Sequence, residues 1–351
     1  MATSRLLRLL AATVVAALSL SACSTGPSDG AGSTTADSAA GADAAVFPVT
    51  IDHAFGQTTL RELPERVATV SWVNADVALS LGVVPVGMPI DSYGGNENGS
   101  TPWKDAKLEE LGAAIGTNGA PVQYSETDGL AFDDIAATDP DVILAAYSGL
   151  SQEDYDTLSR IAPVVAYPEV AYGTAWQDST RIIGEALGLS GAAEQLVDTT
   201  EQAIDDAAAE HPELDGTTFI YGSLTPGAAD SVSVYTANDN RPRFLTELGM
   251  VQADVVTEAT GGSEEFFIPW SAERANELDS DIFVTWVADE DAAEAIAADP
   301  LLGQIPAVGR DALVTTSDDT LTLSVSAANP LSLDWALDAF VPLLADAAAG
   351  R

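Results

Sequence analysis

Segments typical of buried β-strands alternate with segments typical of helices along most of this chain. Short apolar runs bounded by Gly, Pro or Asp predict the strands, and apolar residues at helical spacing predict the helices. In the first half the predicted strands are residues 66–71, 83–88, 142–146 and 164–167. In the second half they are residues 218–221, 232–235, 281–286 and 312–315. This alternation predicts a parallel sheet with helices on both faces.

A long Ala-rich helix is predicted between the two halves, over residues 192–210, and it ends before Pro212. The halves also echo each other. Residues 133–143 and 273–283 both contain an acidic helix start, a short helix, a turn, an Asp and a buried strand. We interpret this as structural duplication, and we predict two similar α/β lobes joined by the long helix. A final helix is predicted over residues 333–347.

The N-terminus has the features of a bacterial lipoprotein signal. Arg5 and Arg8 precede an apolar stretch at residues 9–20, which is shorter than the roughly 20 residues that a membrane span needs. The sequence LSAC at residues 20–23 then resembles a lipobox, in which the cysteine becomes the lipidated first residue. Cys23 is the single cysteine of the chain, which excludes an internal disulfide. An ordinary signal peptide with a chance cysteine is the alternative.

These features divide the chain into five predicted segments. Residues 24–45 are small and polar, which favours a flexible tether. The segments are a signal peptide at 1–22, a lipid-anchored linker at 23–45, an N-terminal lobe at 46–190, an interlobe helix at 191–212 and a C-terminal lobe at 213–351. Two lobes suit this length, because single hydrophobic cores stop growing beyond roughly 250–300 residues.

The chain is strongly acidic, with 54 Asp and Glu against 13 Lys and Arg and a formal charge of −41. Loss of the two signal-peptide arginines lowers this charge to −43. Such a surface repels phosphate backbones, so we expect no nucleic-acid partner. The simplest interpretation is that the carboxylates keep an extracellular surface hydrated.

From about residue 47 to residue 345 the chain resembles the substrate-binding lipoproteins of iron–siderophore and cobalamin ABC importers. The order and spacing of several short segments carry this resemblance. They are FPVTI at 47–51, PERV at 64–67, LSLGVVPVG at 79–87, IAATDPDVILA at 135–145, IAPVV at 161–165, FLTELG at 244–249 and SAE at 271–273. The siderophore branch is the better match.

The resemblance implies a class III substrate-binding fold, an α/β architecture of two Rossmann-like lobes with mostly parallel sheets joined by a single long backbone helix. It implies a binding protein and not an enzyme, one that captures a ferric siderophore in an interlobe cleft for iron uptake. The implied partners are ABC permease and ATPase subunits, and no cofactor is expected besides the Fe(III) within the ligand. We expect a monomer, anchored through Cys23 on the extracytoplasmic face of the cell membrane.

Two alternatives stay open. A cobalamin or haem carrier of the same fold is one, and a lipid-anchored cell-wall polysaccharide hydrolase is the other. The hydrolase alternative has little support, because a Ser-His-Asp or Cys-His catalytic site would have to use one of only two histidines, and the single cysteine is in the lipobox. His53 and His211 have no neighbouring ligand cluster in the sequence, so we predict no metal site in the protein itself.

Aromatic residues follow many of the predicted strands, and ligands bind beyond the carboxyl ends of strands in open α/β sheets. Aromatic rings supply large rigid contact surfaces, which suits a bulky ligand. Residues of this kind outside our final set include Tyr172, Tyr221, Phe266 and Phe267. The predicted ligand-binding residues are Trp72, Tyr93, Tyr147, Trp176, Tyr235, Arg241, Arg243, Trp270 and Trp286.

Four charged residues in this prediction follow from the resemblance. Arginines at the place of Arg241 and Arg243 often face the ligand in the family, and their fork geometry suits chelator oxygens. Related proteins also present one acidic residue on each lobe to permease arginines. The matching positions are Asp133, where the family usually has Glu, and Glu273. A carboxylate that only stabilises a helix start is the alternative for both.

Overall fold

The computed structural model describes residue 41 and residues 43–227 and 232–350. The predicted signal peptide, Cys23 and nearly all of the predicted linker lie outside the described residues. The described chain begins with a short 3-10 helix at Ala44–Val46. An antiparallel hairpin follows, with β1 at Val49–His53 and β2 at Gly56–Leu60.

The first sheet is wholly parallel and has the order β5-β4-β3-β6-β7. Its strands are β3 (Val67–Thr69), β4 (Gly87–Pro89), β5 (Val122–Tyr124), β6 (Val142–Ala145) and β7 (Val164–Ala166). The helices between and after them are α1 (Asn74–Ser80), α2 (Pro102–Glu110), α3 (Phe132–Ala137), α4 (Gln152–Leu158) and α5 (Trp176–Ala186). Every residue of β3, β6 and β7 is buried, as expected for parallel strands covered on both faces.

The long helix α6 runs from Ser190 to Glu210, and its 21 residues span about 31 Å. Its buried residues are Ala193, Val197, Thr200 and Ile204, a spacing that places them on one face. The following 3-10 helix Pro212–Leu214 begins with a proline, which cannot continue the α-helical hydrogen bonds.

The second sheet is mixed and has the order β11-β9-β8-β12-β13, with β10 also paired to β8. Its strands are β8 (Thr218–Leu224), β9 (Val232–Tyr235), β10 (Val251–Gln252), β11 (Phe267–Trp270), β12 (Ile282–Trp286) and β13 (Leu313–Thr316). Strand β9 pairs antiparallel with both β8 and β11, and the other pairings in this sheet are parallel.

The helices of the second half lie around this sheet. The α-helices are α7 (Asn240–Glu247), α8 (Asp254–Thr260), α9 (Glu290–Ala298), α10 (Pro306–Gly309), α11 (Asp319–Ser326), α12 (Pro330–Ala339) and α13 (Val341–Ala349). Two 3-10 helices occupy Ala272–Glu277 and Leu302–Gln304. The predicted fold class, two α/β lobes with mostly parallel sheets joined by a long helix, is confirmed.

The C-terminal helices cross back to the first lobe. Leu323 and Ala327 are buried in the same apolar core as Val67 and Leu144 of the first sheet. Helix α12 packs against α1, α2 and α6, and the Trp335 ring lies 5.5 Å from that of Trp103. The prediction of one final helix is wrong, since α12 and α13 are separate and Pro342 lies in the first turn of α13.

Candidate ligand-binding cleft

A cleft of about 440 Å³ lies where the carboxyl ends of the two sheets face each other. This is within the range of small-molecule sites, and the position agrees with the general rule for open α/β sheets. Six of the predicted ligand-binding residues line it. They are Trp72, Tyr93, Tyr147, Tyr235, Arg241 and Trp286.

Tyr172 connects the aromatic walls of the cleft. Its ring centroid lies 6.4 Å from Trp72, 5.8 Å from Tyr147 and 6.4 Å from Phe266 of the second lobe. The backbone of Tyr172 has φ +57°, in the left-handed region that residues with side chains rarely adopt. A Cβ at Gly149 would lie 2.3 Å from the Tyr172 ring, so the absence of a side chain there makes room for the ring.

Asn74 fixes the segment that carries Trp72. It is fully buried at the start of α1, and its Nδ2 donates to the carbonyls of Val70 (2.7 Å) and Tyr147 (2.9 Å). The backbone N–H of Tyr147 donates to Asn74 Oδ1 at 3.2 Å. One amide side chain therefore positions two aromatic residues of the cleft, and it leaves the Trp72 ring 41% exposed.

Glu126 lies behind this wall. Its Oε2 accepts a hydrogen bond of 2.9 Å from the backbone N–H of Ser71, whose φ is +60°. Its Oε1 is buried and has no hydrogen-bond partner among the described residues. Burial disfavours the charged form and raises the pKa of Glu126 to about 7, against the opposing effect of the Ser71 hydrogen bond.

Arg241 forms the polar end of the cleft. Its Nε and Nη2 donate to Asp239 Oδ1 (2.7 Å) and Oδ2 (2.6 Å), a bidentate pair. The guanidinium also lies 3.4 Å from the Tyr235 ring centroid and 5.8 Å from that of Tyr221. Burial alone would lower the pKa of Arg241, but the Asp239 carboxylate outweighs this and holds the pKa above its usual range.

The loop that carries Tyr93 contacts helix α11 and so joins the two lobes. The carbonyl of Gly94 accepts a hydrogen bond of 2.8 Å from Thr320 Oγ1 of α11. On the same helix, Asp319 Oδ1 accepts from Trp286 Nε1 at 2.8 Å. Burial, and then the Asp319 charge, raise the pKa of Tyr93 to about 12, so its hydroxyl stays protonated at neutral pH.

A buried ion network anchors the start of this loop. The ammonium of Lys104 on α2 lies 2.5 Å from Asp91 Oδ2 and 3.7 Å from Asp76 Oδ2. Trp103 Nε1 donates to Asp76 Oδ1 at 2.7 Å. Lys104 thus links Asp91 of the loop to Asp76 of α1, and its removal would leave two buried carboxylates without a counter-charge.

Three of the predicted ligand-binding residues lie away from the cleft. Trp176 is fully buried in the core of the second half, and its Nε1 donates to Glu247 Oε2 at 3.1 Å. Trp270 is 7% exposed, with the Arg274 guanidinium 4.5 Å from its ring centroid. Arg243 lines a separate hollow of about 420 Å³, and its Nη1 donates to the carbonyl of Gly173 at 2.9 Å.

Other cleft residues are absent from the predicted set. Tyr172, Tyr221 and Phe266 also line the cleft, and all three carried the signal of an aromatic residue after a strand. Asp239 lines it as well, and its one signal was its position two residues before Arg241. Asn74 and Glu126 had no signal that distinguished them from other polar residues of so acidic a chain.

The two predicted docking residues lie on the protein surface. Asp133 is exposed in the first turn of α3, and Glu273 is exposed in the 3-10 helix Ala272–Glu277. Both positions stand at a helix start, where a carboxylate interacts favourably with the helix dipole. Their role in docking stays a prediction.

Within the described part of the chain, no helix is both long and apolar enough to cross a bilayer. The same residues contain no group of three or more His, Cys, Asp or Glu side chains arranged to hold a metal ion. His53 contacts the Thr58 hydroxyl at 3.0 Å, and His211 Nδ1 lies 3.1 Å from Glu213.

Comparison with known proteins places these features in context. Residues 67–320 match the periplasmic binding protein family. The chain is similar to the crystal structure of Streptococcus pneumoniae TIGR4 PiaA in complex with ferrichrome, with 38% identity and a TM-score of 0.80 over 86% of this chain and 99% of that one. A periplasmic solute binding protein from Mycobacterium smegmatis has 29% identity and a TM-score of 0.69, covering 86% of this chain and 98% of that one.

Among curated proteins, the chain is similar to the ferric enterobactin-binding periplasmic protein FepB of Escherichia coli O6:H1. The two are 26% identical over 305 residues, which cover 81% of this chain and 88% of FepB.

Proposed function

The chain belongs to the periplasmic binding protein family, and from this premise we propose that it is the substrate-binding subunit of an ABC importer for ferric siderophores. The observation that carries the proposal is the aromatic-walled cleft of about 440 Å³ between the two sheets. Similarity to PiaA, whose structure contains ferrichrome, and to the ferric enterobactin-binding FepB supports it. The protein binds and releases its ligand without chemical change, as a binding protein and not as an enzyme.

A fluorescence titration tests the proposed ligand. Trp72 and Trp286 line the cleft and are 41% and 37% exposed, so a bound ferric complex should quench their emission. We expect saturable quenching by at least one ferric hydroxamate, catecholate or citrate complex. No response to any of them, with the fold intact by circular dichroism, would contradict the proposal. Saturable binding of haem or cobalamin alone would also contradict it.

The proposed permease contact uses Asp133 and Glu273, one exposed carboxylate on each lobe. An exposed ion pair contributes only about 0–1 kcal/mol, so docking needs both lobes. We expect Asp133→Ala with Glu273→Ala to leave ligand affinity within about twofold and to lower iron uptake several-fold. The measurement is ligand titration of the pure protein beside uptake of the labelled ferric complex by cells.

The matched control for docking is Glu109→Ala with Asp198→Ala, which removes two other exposed carboxylates. Uptake by cells with the control variant should equal that with the wild type. Equal uptake by both double variants, or a fall in ligand affinity of the first that accounts for its lower uptake, would remove the docking assignment.

The proposed location is the extracytoplasmic face of the cell membrane, with a monomer held by lipidated Cys23. Two acyl chains give stable membrane attachment, at about 0.8 kcal/mol per buried methylene. We expect Cys23→Ser to move the protein from the membrane fraction into the soluble fraction, with ligand affinity unchanged. Retention of this variant on the membrane would contradict the anchor.

A further inference from the structure

The charged side chains that line the cleft in the described part of the chain are Arg241 and Asp239. They engage each other through two hydrogen bonds, of 2.7 and 2.6 Å. A guanidinium in such a pair has its charge balanced by the carboxylate next to it. A ligand anion that approaches Arg241 therefore meets the negative charge of Asp239 at the same place.

Charged residues close to the cleft lining do not provide an unpaired positive charge in place of Arg241. Asp319 accepts a hydrogen bond from the Trp286 indole, and Glu126 lies near Tyr172. Arg243 lies near Tyr147, but it also interacts with Asp239 and with two further carboxylates. Those two are Asp178 and Glu247.

The positive charge of Lys104 is also balanced by carboxylates. Lys104, below the loop that carries Tyr93, is buried between Asp76 and Asp91. The formal charge of −41 on the whole chain adds a long-range repulsion of anionic ligands to this local balance of charges.

The remaining polar groups of the cleft are neutral hydroxyls. Tyr221 Oη is buried and has no hydrogen-bond partner among the described residues. Burial holds the pKa values of Tyr147 and Tyr221 above the usual range of tyrosine, so both hydroxyls stay protonated at neutral pH. Protonated phenols can donate to the oxygens of a bound chelate without a requirement for negative charge on it.

The charge of a ferric complex depends on its donor groups. Three hydroxamates carry one negative charge each and cancel the charge of Fe(III). Three catecholates carry two negative charges each, which leaves a complex with three negative charges. Placing like charges side by side in a binding site is strongly unfavourable, so the two classes should differ greatly in affinity here.

We propose that Asp239 is a specificity-determining residue, which neutralises Arg241 and so restricts the cleft to ferric complexes without net negative charge, the ferric hydroxamates. This rests on the proposed function, because it selects one class among ferric siderophores. The PiaA structure contains ferrichrome, a hydroxamate complex, whereas FepB is named for ferric enterobactin, so similarity alone does not choose the class.

The test compares two charge classes on one protein. Tryptophan quenching is titrated with ferrichrome and ferrioxamine B as hydroxamates, and with ferric enterobactin as the catecholate. We expect the wild type to bind a hydroxamate at least about 100-fold more tightly than ferric enterobactin. Ferric enterobactin binding of equal or greater affinity would overturn the inference and leave the proposed function standing. No binding of any complex would instead count against the proposed function.

Asp239→Asn isolates the charge. Asp239 Oδ1 also accepts from the backbone N–H of Arg241 at the start of α7, and asparagine preserves this helix cap. We expect the ratio of hydroxamate affinity to ferric enterobactin affinity to fall at least about tenfold in this variant, because Arg241 becomes free to pair with the anionic complex. The control is Asp198→Asn, an equal charge change on an exposed face of α6, which should keep the wild-type preference.

An unchanged affinity ratio in Asp239→Asn, or an equal fall of this ratio in the Asp198→Asn control, would overturn the role of Asp239. Should Asp239→Asn fail to fold, the two affinities of the wild type are measured at several salt concentrations instead. Added salt screens repulsion, so it should raise enterobactin affinity relative to hydroxamate affinity. A ratio that does not respond to salt would contradict the inference.

Discussion

At the scale of single residues, the walls of the cleft depend on small and polar neighbours that never contact the open space. Tyr172 keeps a strained backbone, and its ring occupies the room left by Gly149. Asn74 fixes Trp72 and Tyr147 through four backbone groups of the surrounding chain. Strain of this kind persists where the surrounding structure imposes it, and it is common at ligand sites.

The Gly149 contact leads to a first prediction. In Gly149→Ala the new Cβ would lie 2.3 Å from the Tyr172 ring, so the ring must move out of the cleft wall. We expect ligand affinity to fall about tenfold, equal to about 1.4 kcal/mol, while the fold is retained. The measurement is tryptophan-quenching titration. The control is Gly191→Ala on α6, where the added Cβ meets no atom within 4 Å. Equal affinity in both variants would contradict the role of this contact.

Glu126 leads to a prediction about pH. Its pKa is raised from the usual 4.5 to about 7 by burial, so the folded state holds a proton that the unfolded state has lost. The stability that this proton contributes is present below about pH 4.5 and is lost as the pH rises through about 7. Glu126→Gln cannot ionise, so its free energy of unfolding should not show this fall. Between about pH 5 and about pH 8, the wild type should lose about 2–3 kcal/mol of stability relative to the variant.

Urea unfolding at about pH 5 and about pH 8 measures this difference. The stabilities of wild type and Glu126→Gln should diverge with rising pH, in favour of the variant. Glu109→Gln, at an exposed carboxylate of α2, should follow the wild-type curve. Parallel curves for wild type and Glu126→Gln would show that Glu126 titrates normally.

The sequence predicted cleft residues where side-chain direction follows simply from position after a strand. Trp72 and Tyr147 lie within three residues of the ends of β3 and β6, and both line the cleft. Trp176 lies ten residues after β7, and there the chain has already entered α5 and turned inward. Arg241 and Arg243 are two positions apart on α7, which turns their side chains about 200° from each other.

At the scale of elements, α5 is fastened to α7 of the other lobe. The fully buried Trp176 at the start of α5 extends into the core of the second half. Its Nε1 and the Nε2 of Gln177 both donate to Glu247 on α7, at 3.1 and 2.8 Å from the carboxylate oxygens. This contact joins the lobes outside the cleft.

Trp176→Phe should therefore lower stability without changing ligand affinity. The substitution removes the indole hydrogen bond to a carboxylate and leaves part of the pocket empty, so we expect a loss of about 2–3 kcal/mol. Urea unfolding and ligand titration measure the two quantities. Glu247→Gln keeps an acceptor oxygen and is expected to be much less destabilising. A tenfold loss of affinity in Trp176→Phe would place Trp176 in ligand binding instead.

Most of the parallel strands were predictable because each is a short, largely buried apolar run. The parallel strands β5 and β10 were not predicted, because their residues are mostly exposed or half-buried. Strand β9 was predicted, but its antiparallel pairing with β8 and β11 was not, and β11 itself was missed. Strand direction depends on which segments pair and not on local pattern. The break between α12 and α13 had a visible cause in Pro342. Because the apolar pattern continues on both sides of this proline, it led to the prediction of one helix where the structure has two.

At the scale of the whole molecule, several elements connect the lobes. Helix α6 is one connection, the α5–α7 contact is a second, and α11 with α12 forms a third. The bounds proposed for the lobes, residues 46–190 and 213–351, stay a prediction. The helices α11 and α12 belong to the second range by sequence and pack against the first.

These connections predict a small change on ligand binding. We expect the radius of gyration by small-angle X-ray scattering to differ by less than about 1 Å between the ligand-free and ligand-bound protein. The same saturating ferric complex is used for the titration and the scattering experiment, so occupancy is known. A decrease of several ångströms would show a hinge closure that α6 and α12 do not prevent.

The return of α11 and α12 to the first lobe has a consequence for how the protein is made. Synthesis proceeds from the N-terminus at about 5–20 residues per second, so the first sheet emerges well before Leu323 and Ala327. Until those residues arrive, the part of this core that they cover stays exposed, and its apolar surface is available to a chaperone. The core of the first lobe, whose strands are synthesised early, is thus completed only when the C-terminal helices have been synthesised.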